Sequence, residues 1–201
     1  MPADRPAEPW LSFLTELDAQ LEEPADFHCI GGFVVSQHYG FGRETADLDL
    51  LRVIPRQAAE RVVQLAGKGS ALHRRHRVYI DHVEVANYPE GYESRLARVF
   101  PVWPKVRLWA LEPHDLALTK LERSIERDIR DVIFLAQAGL IDRDTLVARF
   151  ETEWNPTSPV ELQPGTAPRS QCGLMPVGQS ERLRKCSFHL RRECETISRL
   201  G

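Results

Sequence analysis

Residues 31–50 of the chain read GGFVVSQHYGFGRETADLDL, and the end of this stretch predicts a β-strand that carries a functional site. Successive side chains of a strand point to opposite faces, so Asp47 and Asp49 are expected side by side on one face, with Leu48 and Leu50 in a core. Two adjacent carboxylates repel each other, which raises a pKa unless a cation lies near them. Hard divalent cations bind carboxylate oxygens, so the pair predicts a Mg²⁺ or Mn²⁺ site.

Gly31 and Gly32 follow a short apolar segment, FHCI at 27–30, that predicts a strand. Glycine backbone permits a tight turn from a strand into a helix, and such a turn presents N–H groups that bind phosphates. Together with the aspartates, this turn is typical of a site for a metal-bound nucleoside triphosphate. The alternative interpretation is an ordinary turn followed by two solvated aspartates.

A two-metal site needs a further carboxylate, and the segment RVYIDHVEVANY at 77–88 predicts the strand that supplies it. In this strand Asp81 shares a face with Tyr79, whereas Glu84 lies on the opposite face with His82. The third ligand can also serve as base for an attacking hydroxyl. The residues alone leave open whether Asp81, His82 or Glu84 takes this place.

The segment PHDLALTKLERSIERDIRDVIFLAQAG at 113–139 has helical spacing of its apolar residues and predicts a helix that ends at its glycine. Lys120 and Arg123 are three positions apart, so both can face one site and neutralise the β- and γ-phosphates. Asp128 and Asp131 are expected to support the residues that bind the nucleotide without touching the nucleotide themselves. Alternatively, these two aspartates pair with neighbouring arginines on the helix surface.

The chain as a whole has 201 residues and a formal net charge of −3, and its length predicts one ordinary domain or a compact domain with an appendage. No apolar run approaches the roughly 20 residues that cross a bilayer, so no membrane partner is expected. The N-terminal segment has neither a basic region nor an apolar region of the kind found in secretion signals. We therefore expect a cytoplasmic protein.

The spacing of apolar residues and the positions of proline and glycine predict the remaining helices and strands of the chain. The expected helices span 8–22, the segment after Pro55 with Ala59, Val62, Val63 and Leu65 buried, and 142–154 with Asp142 as its cap. The expected strands are 46–54 and an antiparallel pair, SRLARVF and VRLWAL. The segment from His73 to Arg77 is expected to be a basic loop and a contact for RNA.

The segment 155–201 is rich in proline, glycine and arginine and predicts an irregular, poorly ordered tail. Its cysteines, Cys172, Cys186 and Cys194, have a spacing with His189 that fits no common zinc finger, so free thiols are expected. The abrupt change of composition also raises the hypothesis of an aberrant tail, from a shifted reading frame or a recent fusion.

Two glycines, a short helix and an Asp-x-Asp strand resemble the DNA polymerase β-like nucleotidyltransferase superfamily. The run GG…YG…RETADLDL, with DLALTKLERSIERDIRDV further on, is similar to the bacterial AbiEii-like toxin nucleotidyltransferases and their relatives. The resemblance covers about residues 10–154. It implies an α+β fold: a nucleotidyltransferase core at 8–110, a small mixed sheet with helices on it, and a helical part at 111–154 that completes the site.

The resemblance also implies the chemistry, which is transfer of a nucleoside monophosphate from an NTP to an acceptor hydroxyl. Mg²⁺ or Mn²⁺ would be held by Asp47, Asp49 and Asp81. The nucleotide would be bound by a larger set: Gly31, Gly32, Arg43, Thr45, Lys120 and Arg123. The expected acceptor is RNA (tRNA in the toxin relatives), a protein or a small molecule.

The toxin resemblance further implies a toxin–antitoxin system, in which a cognate antitoxin would be the partner. Two competing interpretations remain open at this point. One is a non-catalytic binding partner in such a pair, and the other is a nuclease that uses the same carboxylates for its metal ions.

Overall fold

The computed structural model describes residues 4–83, 86–123 and 125–154. The helices are α1 Trp10–Gln20, α2 Gly31–Phe33, α3 Ala58–Ala66, α4 Ala71–His76, α5 Pro113–Arg123, α6 Glu126–Gln137 and α7 Arg143–Thr152. The strands are β1 Ala25–Ile30, β2 Asp47–Ile54, β3 Tyr79–His82, β4 Ala97–Val99 and β5 Val106–Ala110. A π-helical turn, Val34–His38, extends α2, and a 3₁₀ turn, Tyr92–Arg95, precedes β4.

The described strands form one mixed sheet in the order β3-β2-β1-β5-β4. The central strand β1 pairs antiparallel with β2 and parallel with β5. β3 runs parallel to β2 and is an edge strand, and β4 runs antiparallel to β5 at the other edge. This arrangement confirms the predicted α+β fold with a small mixed sheet, including the antiparallel pair at β4 and β5.

The apolar side chains of β2 and of α1 meet in one core. Leu48 and Leu50 are fully buried, as are Phe13 and Leu17 of α1. Burial of each such side chain contributes roughly 1.5–3 kcal/mol relative to exposure, so this face is fixed firmly. The polar face of β2 is thereby forced outward, which places its aspartates on the other side of the sheet.

Two local predictions on this side of the fold are wrong. Val63 is 42% exposed, because the helical period of α3 turns Val62 and Ala66 to the core instead. The basic segment from His73 is helix α4 and not a loop. Its N-terminus is capped by the Ser70 hydroxyl, which accepts a hydrogen bond from the backbone N–H of His73 at 3.1 Å.

The long helix predicted over 113–139 is also wrong, because the chain breaks it into α5 and α6. Ile125 has an extended backbone (φ −79°, ψ 156°) and a side chain that is 48% exposed, although its spacing predicted burial. The break lets α6 fold back against α5. Residues that one continuous helix would hold far apart therefore come into contact. The last helix, α7, confirms the prediction, since Asp142 accepts a hydrogen bond from the Thr145 backbone N–H at 2.9 Å.

A cluster of part-buried ion pairs attaches α5 and α7 to the 3₁₀ turn that precedes β4. Asp115 of α5 accepts hydrogen bonds from Arg95 at 2.8 and 3.1 Å and from Arg149 of α7 at 2.8 Å. Arg95 also donates to Glu153 at 2.6 Å. The predicted boundary between the core and the helical part lies at 110/111. Arg95 precedes this boundary and its partners follow it, so these ion pairs cross the boundary. The boundary itself stays a prediction.

None of the helices described here is long and apolar enough to cross a bilayer. Cys29 is buried in β1 with a free thiol. The predicted tail at 155–201, with its three cysteines, lies outside the described residues.

Candidate active site

The three predicted carboxylates lie on two neighbouring strands. Asp47 and Asp49 are partly exposed on β2 and alternate with the buried Leu48 and Leu50. In the register of the parallel pair, Asp49 lies opposite Asp81 of β3. Residues opposite each other in neighbouring strands project to the same face, so Asp81 adjoins the aspartate pair. Glu84, the alternative third carboxylate, lies outside the described residues.

Asp49 is the carboxylate whose environment most disfavours a charge. Burial, followed by the charge of Asp47, raises the pKa of Asp49 to about 6, and Asp81 adds to this rise. The cations Arg123 and Lys120 act in the opposite direction and do not reverse it. Asp47 is held by Thr45, whose hydroxyl donates a hydrogen bond of 2.6 Å to Asp47 Oδ1. A further positive charge at this face would therefore relieve a built-in repulsion.

The two glycines are packed directly against these side chains. A Cβ on Gly31 would lie 1.8 Å from Asp49 Oδ2, and Gly31 has φ +74°, in the left-handed region that favours glycine. A Cβ on Gly32 would lie 2.6 Å from Arg43 Nη2 and 3.1 Å from the Thr45 hydroxyl. Only glycine therefore lets the backbone of this turn approach Asp49 and Arg43 so closely, because a Cβ at either position would clash with them.

Arg43 and Lys120 share one carboxylate of α6. The Arg43 guanidinium donates from Nε and Nη2 to the two oxygens of Asp131, both at 2.8 Å. The Lys120 ammonium donates to Asp131 Oδ2 at 2.6 Å and is 1% exposed. Burial acts to raise the pKa of Asp131, but hydrogen bonds from Arg43 and Lys120 outweigh it and hold this pKa below its ordinary value. Asp131 is therefore an anion that fixes both cations, and of these Arg43 lies beside Gly32.

Asp128 forms the second half of this network. It accepts hydrogen bonds from Arg123 Nη2 at 3.0 Å and from the Lys120 ammonium at 3.5 Å. Both Asp128 and Asp131 are completely buried, so the alternative of a solvated helix surface is wrong for them. The network holds three cations against two carboxylates and leaves one positive charge. Arg123, with 53% of its side chain exposed, carries that charge to solvent.

The structure thus brings together the residues that the sequence singled out. Gly31, Gly32, Arg43, Thr45, Asp47 and Asp49 form one contiguous group, with Asp81 on the next strand. Lys120 and Arg123 approach this group, since both act on the pKa of Asp49. The sequence reasoning missed the direct contact of Arg43 with Asp131. This contact depends on the break between α5 and α6, and the continuous helical spacing of apolar residues gave no sign of that break.

The chain matches the family described as "nucleotidyltransferase of unknown function (DUF6036)" over residues 12–159. The protein belongs to this family. Membership of the nucleotidyltransferase family makes the chain a transferase enzyme and makes an NTP its expected substrate, which confirms the nucleotidyltransferase assignment predicted from the glycine and Asp-x-Asp motifs. The finer likeness to AbiEii-like toxins stays a prediction. No curated protein and no solved structure matches the chain.

The carboxylates of this nucleotidyltransferase suit a divalent cation that is shared with its substrate. Within 4–83, 86–123 and 125–154, no three His, Cys, Asp or Glu side chains converge into a ready-made metal cluster. Mg²⁺, however, is commonly held by one or two carboxylates together with substrate phosphates, because it keeps an octahedral shell of oxygens. Asp47 and Asp49 provide such a pair, and the raised pKa of Asp49 is the electrostatic signature that a cation would remove.

Proposed function

We propose that this nucleotidyltransferase moves a nucleoside monophosphate from an NTP to an acceptor hydroxyl, with Mg²⁺ or Mn²⁺ held by Asp47, Asp49 and Asp81. The observation that carries the proposal is the register of β2 and β3, which sets Asp81 directly beside Asp49. Three carboxylates on one face, next to a glycine turn and a cationic network, are the groups that a metal-bound triphosphate requires.

In the proposed complex, the backbone N–H groups of Gly31 and Gly32 bind phosphate oxygens. Arg43 and Arg123 face the β- and γ-phosphates and stabilise the charge that develops on pyrophosphate as it leaves. Both have exposed side-chain surface, at 20% and 53%. Lys120 is buried, so its contribution runs through Asp131, which holds Arg43 in place. A direct contact of Lys120 with the phosphates stays a prediction.

In the proposed reaction, Asp81 accepts the proton of the acceptor hydroxyl. The acceptor oxygen then forms a bond to the α-phosphorus while the bond from that phosphorus to the pyrophosphate oxygen breaks. Asp81 is exposed on the edge strand, where an acceptor can reach it. Asp47, Asp49 and Asp81 would hold the divalent cation, which when bound would neutralise charge on the phosphate oxygens.

A role as the toxin of a toxin–antitoxin pair is part of the proposal. It is supported by the resemblance of residues 31–50 and 115–132 to AbiEii-like toxins. RNA, protein and small-molecule acceptors are all compatible with an exposed Asp81. A cognate antitoxin would then be a protein that covers this face of the sheet.

The test is incubation of the full chain with NTPs labelled at the α-phosphate, Mg²⁺ or Mn²⁺, and total RNA. Transfer of label to RNA or to the protein itself is the expected result, and Asp47→Asn or Asp81→Asn is expected to abolish it. Glu60→Gln, on the exposed surface of α3, is the matched control and should label normally. RNA that is cleaved but never labelled would point to a nuclease, and an absence of both products would leave only a binding role.

A further inference from the structure

The edge of the sheet beside the carboxylates carries a second group of side chains. The backbone bridge between Gly67 and Ile80 brings the segment that follows α3 alongside β3. The next residue, Lys68, places its ammonium 5.6 Å from the centre of the Tyr79 ring. Tyr79 lies opposite Asp47 in the pairing of β3 with β2. Lys68 and Tyr79 therefore adjoin the proposed metal carboxylates on the side away from β1.

Residues 68–77 read KGSALHRRHR and contain no acidic residue, in a chain whose net charge is −3. Arg75 and His76 lie against Glu16 of α1. The other three cations of the segment have no carboxylate partner in the described part of the chain: Lys68, Arg74 and Arg77. The Arg74 guanidinium donates to the Gly69 carbonyl oxygen, at 2.5 Å, and meets no carboxylate among the described residues that would compensate its charge.

Arg77 occupies a backbone conformation that its side chain disfavours. It ends α4 with φ +64° and ψ +13°, the left-handed conformation that glycine adopts at helix ends at little cost. A side chain makes that conformation less stable. The guanidinium is exposed and contacts no acidic group among the described residues. An arginine at a position suited to glycine indicates a role for its charge, since strain of this kind persists where function requires it.

The direction of the proposed reaction gives this edge a role. In phosphoryl transfer the attacking and leaving oxygens lie roughly in line on opposite sides of the phosphorus. Pyrophosphate would leave on the side of Gly32 and Arg43. The acceptor must then arrive from the opposite side, where Asp81 and the edge of β3 lie.

We infer that the β3-edge surface, formed by Lys68, His73, Arg74, Arg77 and Tyr79, binds the acceptor and that the acceptor is a single-stranded nucleic acid. This inference rests on the proposed function. Cations spread along a chain segment match the repeated phosphates of a strand better than the single charge of a small acceptor. The rings of Tyr79 and His73, 5.1 Å apart at their centres, add aromatic surface for an unpaired base.

The test measures binding of the full chain to a fluorescent single-stranded RNA of about 20 nucleotides by anisotropy, without NTP. Lys68→Ala and Arg77→Gly are each expected to weaken binding several-fold and to reduce the slope of log affinity against log salt by about 0.7. Arg77→Gly should also raise the melting temperature, because glycine relieves the left-handed strain. Loss of binding in a more stable protein cannot be attributed to misfolding.

Arg98→Ala and Arg56→Ala are matched controls, since both arginines are exposed and lie on β4 and before α3. Equal weakening in controls and test variants would overturn the inference, as would a wild-type chain that does not bind the RNA. Labelling of a phosphorylated small molecule or a protein in place of RNA would overturn the nucleic acid assignment alone. Because RNA binding is measured without NTP, its failure is distinguishable from failure of nucleotidyl transfer, which the labelling assay reports.

Discussion

The guanidinium of Arg43 donates two hydrogen bonds to the carboxylate of Asp131, from Nε and Nη2 to one oxygen each, both at 2.8 Å. These residues are 88 positions apart in the chain, and their contact joins the loop before β2 to helix α6. Since Lys120 binds the same carboxylate, one buried anion holds both cations. The cationic side of the site therefore depends on a residue that need not touch the substrate.

Replacement of Asp131 by asparagine is expected to destabilise the protein strongly. The substitution leaves the buried Lys120 without its closest anion and removes the charge that balances Arg43. Breaking a buried pair by removing one partner costs about 3–5 kcal/mol. Urea denaturation should show a loss of that size in the free energy of unfolding.

Two further variants calibrate that measurement. Glu126→Gln breaks the exposed pair with Arg130 and is expected to cost less than about 1 kcal/mol. Lys120→Met should cost less than Asp131→Asn, because Asp131 then keeps its two bonds from Arg43. A cost for Asp131→Asn that matches Glu126→Gln would contradict the buried network.

Arg43→Lys is expected to reduce transfer of label by about tenfold or more while the fold is retained. Lysine keeps the charge but cannot form the two parallel hydrogen bonds, so its ammonium is no longer held at a fixed position beside Gly32. The measurement is the initial labelling rate, with circular dichroism as the check on folding. Arg52→Lys, in the exposed pair with Glu93, is the control, and an equal loss there would remove the case for a specific role of the guanidinium.

A comparison of Gly31→Ala with Gly40→Ala separates two destabilising effects that act together at Gly31, namely backbone strain and a steric clash of the new methyl group. Both glycines have positive φ, +74° and +83°, but no heavy atom lies within 4 Å of a Cβ placed on Gly40. Gly40→Ala should therefore cost only the backbone strain, about 1–2 kcal/mol. Gly31→Ala should cost about 1–3 kcal/mol more, because its methyl group meets Asp49.

Thermal or urea unfolding of both variants measures this difference. The double variant Gly31→Ala with Asp49→Ala should regain the part of the stability that the clash removes, but not the labelling activity. Equal costs at the two glycines would show that Asp49 does not pack against the turn.

Asp49→Asn is expected to stabilise the protein in the absence of divalent metal. The Asp49 carboxyl has a pKa of about 6 in the folded protein, whereas an unfolded chain releases this proton near 3.9. Between these values the folded state binds more protons at this carboxyl. The contribution of Asp49 to the free energy of unfolding therefore falls as the pH rises from about 4 to 6 and stays lower above it. The variant has no carboxyl at this position, so its free energy of unfolding lacks this decrease.

Melting curves in EDTA across this pH range test the prediction. Asp49→Asn should gain about 3 kcal/mol over the wild type at pH 7 and little near pH 4. Addition of Mn²⁺ at pH 7 should raise the melting temperature of the wild type and not that of the variant. A stability difference between the wild type and Asp49→Asn that is the same at pH 4 and pH 7, with Glu60→Gln as the reference variant, would argue against a strained carboxylate.

The sequence was most informative where one short-range rule applies. The alternation of Asp47, Leu48, Asp49 and Leu50 follows from strand geometry, and the structure has Leu48 and Leu50 buried with the aspartates outward. The contact of Asp131 with Arg43 could not be predicted, because it depends on a helix break inside a continuous apolar pattern. Helix α4 could have been found, since Ser70 is a helix-capping residue just before the basic run.

The order in which the residues are synthesised also determines when the site can form. A protein is synthesised from its N-terminus, so Gly31, Asp47 and Asp49 leave the ribosome well before Asp131. Until α6 emerges, Arg43 lacks the carboxylate that fixes it, and β1 lacks its parallel neighbour β5 until residue 110 has been made. The nascent chain would therefore remain inactive until α6 has been synthesised, and its activity would begin only when the fold closes around Asp131.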